Sequence, residues 1–343
     1  MAKNRATLTY PQTADANQDA DRIHVACKGL GTKEQVITDI AGHRCLKQRQ
    51  AIRRAYHTKY AQDLLTLFAS ELTGEYESLV KGLFGTPVEI LAKQIYHALK
   101  NRGSRSHTLT YILCCCDKVE LHMLKKAYVS PNRTQHTLEA DVFKHTKGHY
   151  RTLLLEVLKG ERCDDSIQEI EMAVKRGTVH GIVDMNLVES DIKHLRDVLE
   201  KHSHKSSQCG KLTIDPTGII AILTKRSKLH VRAIWSEYKR NYGSNLVKDI
   251  SLHISEPLRT ALNTLIMSQV NLRLLLVCQL YEAMRGQGTD EDALIRIICL
   301  HAEYDMKDLV EDYQKYFGVP LNAAIKADTS GDFRDLLLLL VGN

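Results

Sequence analysis

The sequence predicts an all-α chain built from four copies of one module, and three observations carry that prediction. Glycine and proline are sparse, with 19 and 6 copies in 343 residues, which disfavours a loop-rich or β-rich chain. Apolar residues recur at helical spacing along most of the length. The chain is also self-similar at a period of about seventy residues, the signature of a repeat architecture.

The repeat is anchored by "GLGTKE" at Gly29 and "GQGTDE" at Gly286, each followed by related sequence. Two further copies contain "ELHMLKKAYVSPNRTQHTLEADVFKHTKGHYRTLL" and "HVRAIWSEYKRNYGSNLVKDISLHISEPLRTAL". Tyr56, Tyr128, Tyr238 and Tyr313 take equivalent places, with separations 128 − 56 = 72, 238 − 128 = 110 and 313 − 238 = 75. The middle joint therefore carries extra residues. The expected boundaries are an N-terminal tail 1–16, modules at 17–86 and 87–159, an extended connector 160–189, and modules at 190–269 and 270–343.

In the fourth module, Leu294, Ile297, Ile298 and Cys299 mark one helix, and Leu309, Tyr313 and Phe317 step by four along the next. Leu321, Ala324 and Ile325 belong to a short helix, and Phe333, Leu336, Leu337 and Leu340 to the last. With the helix before the glycine loop, that makes five helices per module. Thr32 with Gln35 reads as a capping box and Thr289 with Asp292 as a weaker one, so each loop opens onto a helix N-terminus. The connector is expected to hold one helix, Ser166–Lys175, followed by breaks at Gly177 and Gly181. Trp235 is expected in the core.

Four five-helix modules with K/R-G-x-G-T loops, closed by an acid about forty residues later, resemble the annexin family from about Asp19 to Gly342. "MRGQGTDEDALIRI" with "DTSGDFRDLLLLLVG" is the strongest stretch of that resemblance. It implies an all-α curved disc of four annexin repeats whose convex face carries calcium loops and docks reversibly on acidic phospholipid of the phosphatidylserine kind. Calcium takes six to eight hard oxygens, and glycine lets successive carbonyls turn toward one centre. By resemblance the carbonyls of Met284, Gly286 and Gly288 and the carboxylate of Asp328 form the fourth-module site. Cys27, Gly29, Gly31 and Glu71 form the first. The acid follows the second glycine at the same distance in both, 328 − 288 = 40 and 71 − 31 = 40. Thr32 with Glu34, and Thr289 with Glu291, are candidates for secondary ions. Glu77 resembles a minor-site carboxylate, whereas its counterpart Arg334 cannot ligate a cation.

Modules two and three depart from the pattern. Asn101 and Ser106 replace loop residues, and His145 and His253 stand where the acid belongs, so neither is expected to bind calcium this way. Lys211 reads as a solvated lysine. The adjacent Cys114, Cys115 and Cys116 lie on a helix and at least one should be core; nine scattered cysteines form no disulfide framework. His202 and His204 read as exposed connector residues. No P-loop, H-E-x-x-H or G-x-S-x-G motif supports catalysis, and no partner nucleic acid is expected. "MAKNRATLTYPQTADANQDAD" lacks a signal-peptide core, and the net charge is only +6. A cytoplasmic protein that meets membranes from the side is expected, with release to the cell surface as some annexins undergo. Protein partners or a homodimer through the connector are the remaining partner expectations. The rival expectation is a helical-repeat interaction scaffold with reduced or lost calcium control.

Overall fold

The computed structural model describes residues 5–29, 31–100, 106–129, 137–200 and 215–342. Among them there are 21 helices and no strand. Module one holds α1 (Ala16–Ala26), α2 (Glu34–Gly42), α3 (Leu46–Tyr60), α4 (Leu64–Glu71) and α5 (Gly74–Phe84). Module two holds α6 (Pro87–Lys100), α7 (Ser106–Cys115), α8 (Lys118–Tyr128), α9 (Leu138–His145) and α10 (Gly148–Lys159). Then come the connector helix α11 (Ile167–Arg176) and module three, with α12 (Met185–Glu200), α13 (Thr217–Lys225), α14 (Lys228–Tyr242), α15 (Leu246–His253) and α16 (Leu258–Val270). Module four holds α17 (Leu272–Ala283), α18 (Glu291–His301), α19 (Met306–Phe317), α20 (Leu321–Asp328) and α21 (Gly331–Val341).

The modules pair into two compact units, residues 1–91 with 276–343, and residues 92–275. The first and last modules thus share one core, although they are farthest apart in sequence. Each unit is reciprocal. In the first, α2 packs on α21 and α18 on α5; in the second, α7 packs on α16 and α13 on α10. The second helix of each module therefore rests on the fifth helix of its partner, because the apolar stripe of one five-helix module is wider than the module can cover alone. Close approach is exacting at Gly42 on α2, where an added Cβ would sit 2.1 Å from Leu339 Cδ2 on α21. The four equivalent tyrosines, Tyr56, Tyr128, Tyr238 and Tyr313, are all buried. In the first unit, buried Arg49 crosses between modules to Glu303 at 2.6 Å and donates to the Leu83 carbonyl at 2.8 Å. The N-terminal segment is held on module four as well. Thr7 and Leu8 amides donate to the Ala302 carbonyl at 3.1 and 3.0 Å, and Arg5 pairs with Asp308 at 2.5 Å.

Two local expectations are corrected. Thr32–Gln35 and Thr289–Asp292 form no capping boxes. The N-caps of α2 and α18 are Lys33 and Asp290, one residue later, and the Asp290 carboxylate accepts from the Ala293 amide. The threonine hydroxyls are drawn away by better acceptors on α4 and α20. Trp235 is only partly buried, since Ala233, Ile234 and Tyr238 take the inward face of α14. The connector is hydrogen-bonded to module three. Arg162 donates to the Arg226 and Leu223 carbonyls, each at 2.6 Å, Cys163 N donates to the Lys225 carbonyl, and His180 meets Glu237 at 2.9 Å. Its helix α11 opens with a Ser166–Glu169 capping box. Asn101, Lys211, His202 and His204 lie outside the described residues.

Candidate calcium sites in the first and fourth modules

Modules one and four superpose in sequence with one offset, 286 − 29 = 257, and the structure repeats its geometry at that offset. His24 stacks on Tyr60 with ring centroids 4.0 Å apart, and Tyr281 stacks on Phe317 at 3.9 Å. These pairs fix the last turn of α1 on α3 and of α17 on α19, three residues before the loops begin. The loops are then closed by matching main-chain bonds, Lys33 N to the Ala26 carbonyl at 2.9 Å and Asp290 N to the Ala283 carbonyl at 2.8 Å.

Between those closures the backbone turns through positive φ twice in each loop. Gly29 and Gly286 have φ of 109° and 108°, and Gly31 and Gly288 have 83° and 90°. No atom lies within 4 Å of where a Cβ would stand at any of the four. Glycine is required there by the dihedral angle and not by lack of room.

The distant acids arrive as the last residues of eight-residue helices, Glu71 on α4 and Asp328 on α20. Each is tied to its loop by the threonine after the second glycine. Thr32 Oγ1 donates to the Glu71 carbonyl at 3.2 Å, and Thr289 Oγ1 reaches the Asp328 carbonyl at 3.2 Å and its Oδ2 at 2.7 Å. Both Glu71 and Asp328 are partly exposed. Cys27 is buried, so its thiol faces inward, away from solvent. Burial, then the Glu71 and Glu34 carboxylates, push that thiol up to about 11, so both acids lie within electrostatic reach of the loop. Glu291 is raised by burial first and then by Glu75, Asp290 and Asp292, a concentration of negative charge beside the fourth-module loop. Met284 is half-buried at the start of that loop. In module one, Glu77 pairs with Lys81 at 3.0 Å; Arg334 in module four pairs with Asp335.

Modules two and three keep the helices but carry histidine where modules one and four carry the acid. Their eight-residue helices α9 and α15 end in His145 and His253. Each ring Nδ1 lies on the carbonyl four residues back, Asp141 at 2.8 Å and Asp249 at 2.7 Å. A carbonyl can only accept, so Nδ1 carries the proton in both rings.

Among the described residues no group of three or more His, Cys, Asp or Glu side chains is gathered as a metal cluster. A site built from main-chain oxygens and a single carboxylate would need no such cluster. The donor set of hard oxygens, with no thiolate facing the loop, suits calcium better than a softer metal.

A family model described as Annexin matches residues 18–83, 91–157, 204–265 and 277–340. The chain belongs to the annexin family. Among curated relatives, annexin A13 of Schistosoma japonicum is 32% identical over 342 residues, covering 98% of this chain and 94% of its own length. Annexin A11 of Oryctolagus cuniculus is 33% identical over 339 residues, but this chain spans only 62% of that longer protein. Chicken annexin V matches in structure with a TM-score of 0.83 and 31% identity, covering 99% of both chains. Calcium-bound annexin (Sm)1 matches with a TM-score of 0.80 and 27% identity over 99% of this chain and 93% of that one. Calcium-dependent phospholipid binding is the general function of annexins, and the family model matches four stretches of this annexin.

Sequence reasoning did not anticipate the aromatic stacks or the threonine ties. The signal for both was available, since His24/Tyr281, Tyr60/Phe317 and Thr32/Thr289 all share the offset of 257.

Proposed function

We propose that this annexin binds acidic phospholipid surfaces reversibly and in a calcium-dependent manner through the loops of modules one and four. The observation that carries the reading is the duplicated geometry. Two loops 257 residues apart have the same pair of positive φ angles and the same threonine tie to a distant acid. The carbonyls of Cys27, Gly29 and Gly31 with Glu71 would hold one ion, and those of Met284, Gly286 and Gly288 with Asp328 the other. Thr32 with Glu34 and Thr289 with Glu291 offer secondary positions.

A bound calcium ion supplies a positive bridge between these oxygens and the phosphoryl or serine carboxyl oxygens of lipid. Each main site brings one full negative charge, so affinity in solution should be weak, about 10⁻⁴–10⁻³ M. A surface potential near −30 mV concentrates a divalent ion about tenfold, and the lipid oxygens complete the coordination. Calcium and lipid therefore raise each other's affinity by linkage. Among the described residues no helix is long and apolar enough to cross a membrane, which fits attachment from the side. A cytoplasmic protein recruited to phosphatidylserine-containing membranes, with a binding rather than a catalytic role, is the physiological reading. The rival is a calcium-independent scaffold, and it draws on His145 and His253 in place of two of the four acids.

The test is sedimentation with phosphatidylserine vesicles, in calcium and in chelator, for the wild-type chain and for Glu71→Ala/Asp328→Ala. The double variant should stay folded and lose nearly all calcium-dependent pelleting. If it pellets at wild-type calcium concentrations, these ligands are wrong and the scaffold reading gains.

A further inference from the structure

The turn joining α9 to α10 in module two occupies the place in its repeat that holds Asp328 in module four, yet its chemistry is reversed. Residues Phe143–Arg151 read FKHTKGHYR and contain no carboxylate. The turn carries the basic residues Lys144, Lys147 and Arg151, and Lys144, Lys147 and His149 are exposed. Phe143 is an aromatic side chain left 58% exposed.

Arg151 organises this turn. Its Nε donates to the Thr146 carbonyl at 2.7 Å and its Nη2 to the same oxygen, while the guanidinium carbon lies 4.4 Å from the Phe143 ring centroid. A resident guanidinium thus takes a main-chain carbonyl of the turn and braces the aromatic ring that projects beside it. The surrounding acids are engaged elsewhere. Glu139 pairs with Lys125 at 2.8 Å, and Asp141 is buried against the Tyr128 hydroxyl at 2.7 Å. Asp215 faces His149 but is held chiefly by Thr217. Lys144 and Lys147 have no ion pair among the described residues, so their charge is directed outward.

We propose that this turn is a calcium-independent contact for acidic phospholipid, with Lys144 and Lys147 meeting lipid phosphates and Phe143 entering the interface. Charge complementarity and the aromatic beside the cations select this occupant. A cation pair alone would suit any polyanion, but an exposed ring among cations suits a surface that is anionic outside and apolar beneath. The proposal rests on the membrane reading of modules one and four and adds a tether that acts before calcium arrives.

The experiment uses the full chain in chelator at low salt, with vesicles of phosphatidylserine in phosphatidylcholine against phosphatidylcholine alone. The wild-type chain should bind only the acidic vesicles. Each lysine near such a surface contributes about fivefold, so Lys144→Gln/Lys147→Gln should weaken this binding about 25-fold. Phe143→Ser should weaken it with little change in salt sensitivity, whereas the lysine contribution should vanish as salt shortens the screening length. All three side chains are exposed, and unchanged melting curves would show that the variants fold. No binding in chelator, or binding untouched by these substitutions, overturns the proposal. If the wild-type chain still pellets with calcium in that case, the reading of the loops survives. Tighter binding to a single-stranded oligonucleotide than to vesicles, lost in the lysine variant, would overturn the lipid assignment in favour of nucleic acid.

Discussion

Thr289→Val should cripple the fourth-module loop while barely altering the fold, and its counterpart Thr32→Val should not. The asymmetry comes from one hydrogen bond. Thr289 Oγ1 donates to the Asp328 carboxylate at 2.7 Å, whereas Thr32 Oγ1 reaches only the Glu71 main-chain carbonyl at 3.2 Å. The Glu71 carboxylate has Ser70 Oγ at 3.5 Å, which is no firm anchor. A charge-assisted bond contributes about 1.5–3 kcal/mol when buried, and roughly 1 kcal/mol is reasonable for this partly exposed pair. Valine keeps the shape and removes the donor, so Asp328 gains rotamer freedom that must be lost again when a cation binds. Positioning groups of this kind alter metal affinity by about 10–100-fold. Each site must be read alone. In a Glu71→Gln background, Thr289→Val should raise the calcium concentration for half-maximal vesicle pelleting by at least about tenfold. In an Asp328→Asn background, Thr32→Val should raise it less than about threefold, since only a neutral bond off the ligand is lost. Equal shifts in the two backgrounds would refute the reasoning, and so would no shift with Thr289→Val.

Gly286→Ala meets no neighbour but places a side chain at φ 108°. The strain, about 1–3 kcal/mol, should distort the loop and raise the calcium midpoint while the melting temperature falls by only a few degrees. A steep loss of fold in the melt would show that the loop is structural instead. Arg162→Ala removes two of the bonds that hold the start of the connector on α13 and its cap, so limited proteolysis within 160–184 should accelerate while the modules stay intact. Asp191 is destabilised as an anion by burial, but His230 and Arg226, at 2.9 and 2.6 Å, outweigh this and its folded pKa is lowered. The stability it contributes is therefore present above the ordinary carboxylate value near pH 4 and is lost as pH falls through the lower folded value. Asp191→Asn should melt earlier at neutral pH and show a shallower decline in melting temperature below about pH 4.

What the sequence determined by itself was everything that depends on neighbours along the chain or on repetition. Helical period marked Leu309, Tyr313 and Phe317 on one face, and four copies of the pattern reinforced one another. The spacing of Glu71 and Asp328 from their glycines was legible because it occurs twice. The helix over Ser166–Lys175 was legible as well, and the structure shows Ser166 capping it within four residues. Only the tertiary structure decided where competing hydrogen bonds go. Thr32 and Thr289 stand where an N-cap reading is sensible, and the acceptors that win lie on α4 and α20, about forty residues away, brought close by folding. The connector shows the same limit. Its glycines mark breaks, but where it docks is decided by Arg162, which finds carbonyls at the end of α13, and a helix terminus always has carbonyls without partners within the helix. The pairing of module one with module four was likewise beyond the sequence. Each module's apolar stripe says that it needs a partner, and any of the other three modules could have supplied the same surface. Close fits such as Gly42 against Leu339 select one, because packing is decided by shape across the interface and not by apolar pattern along the chain.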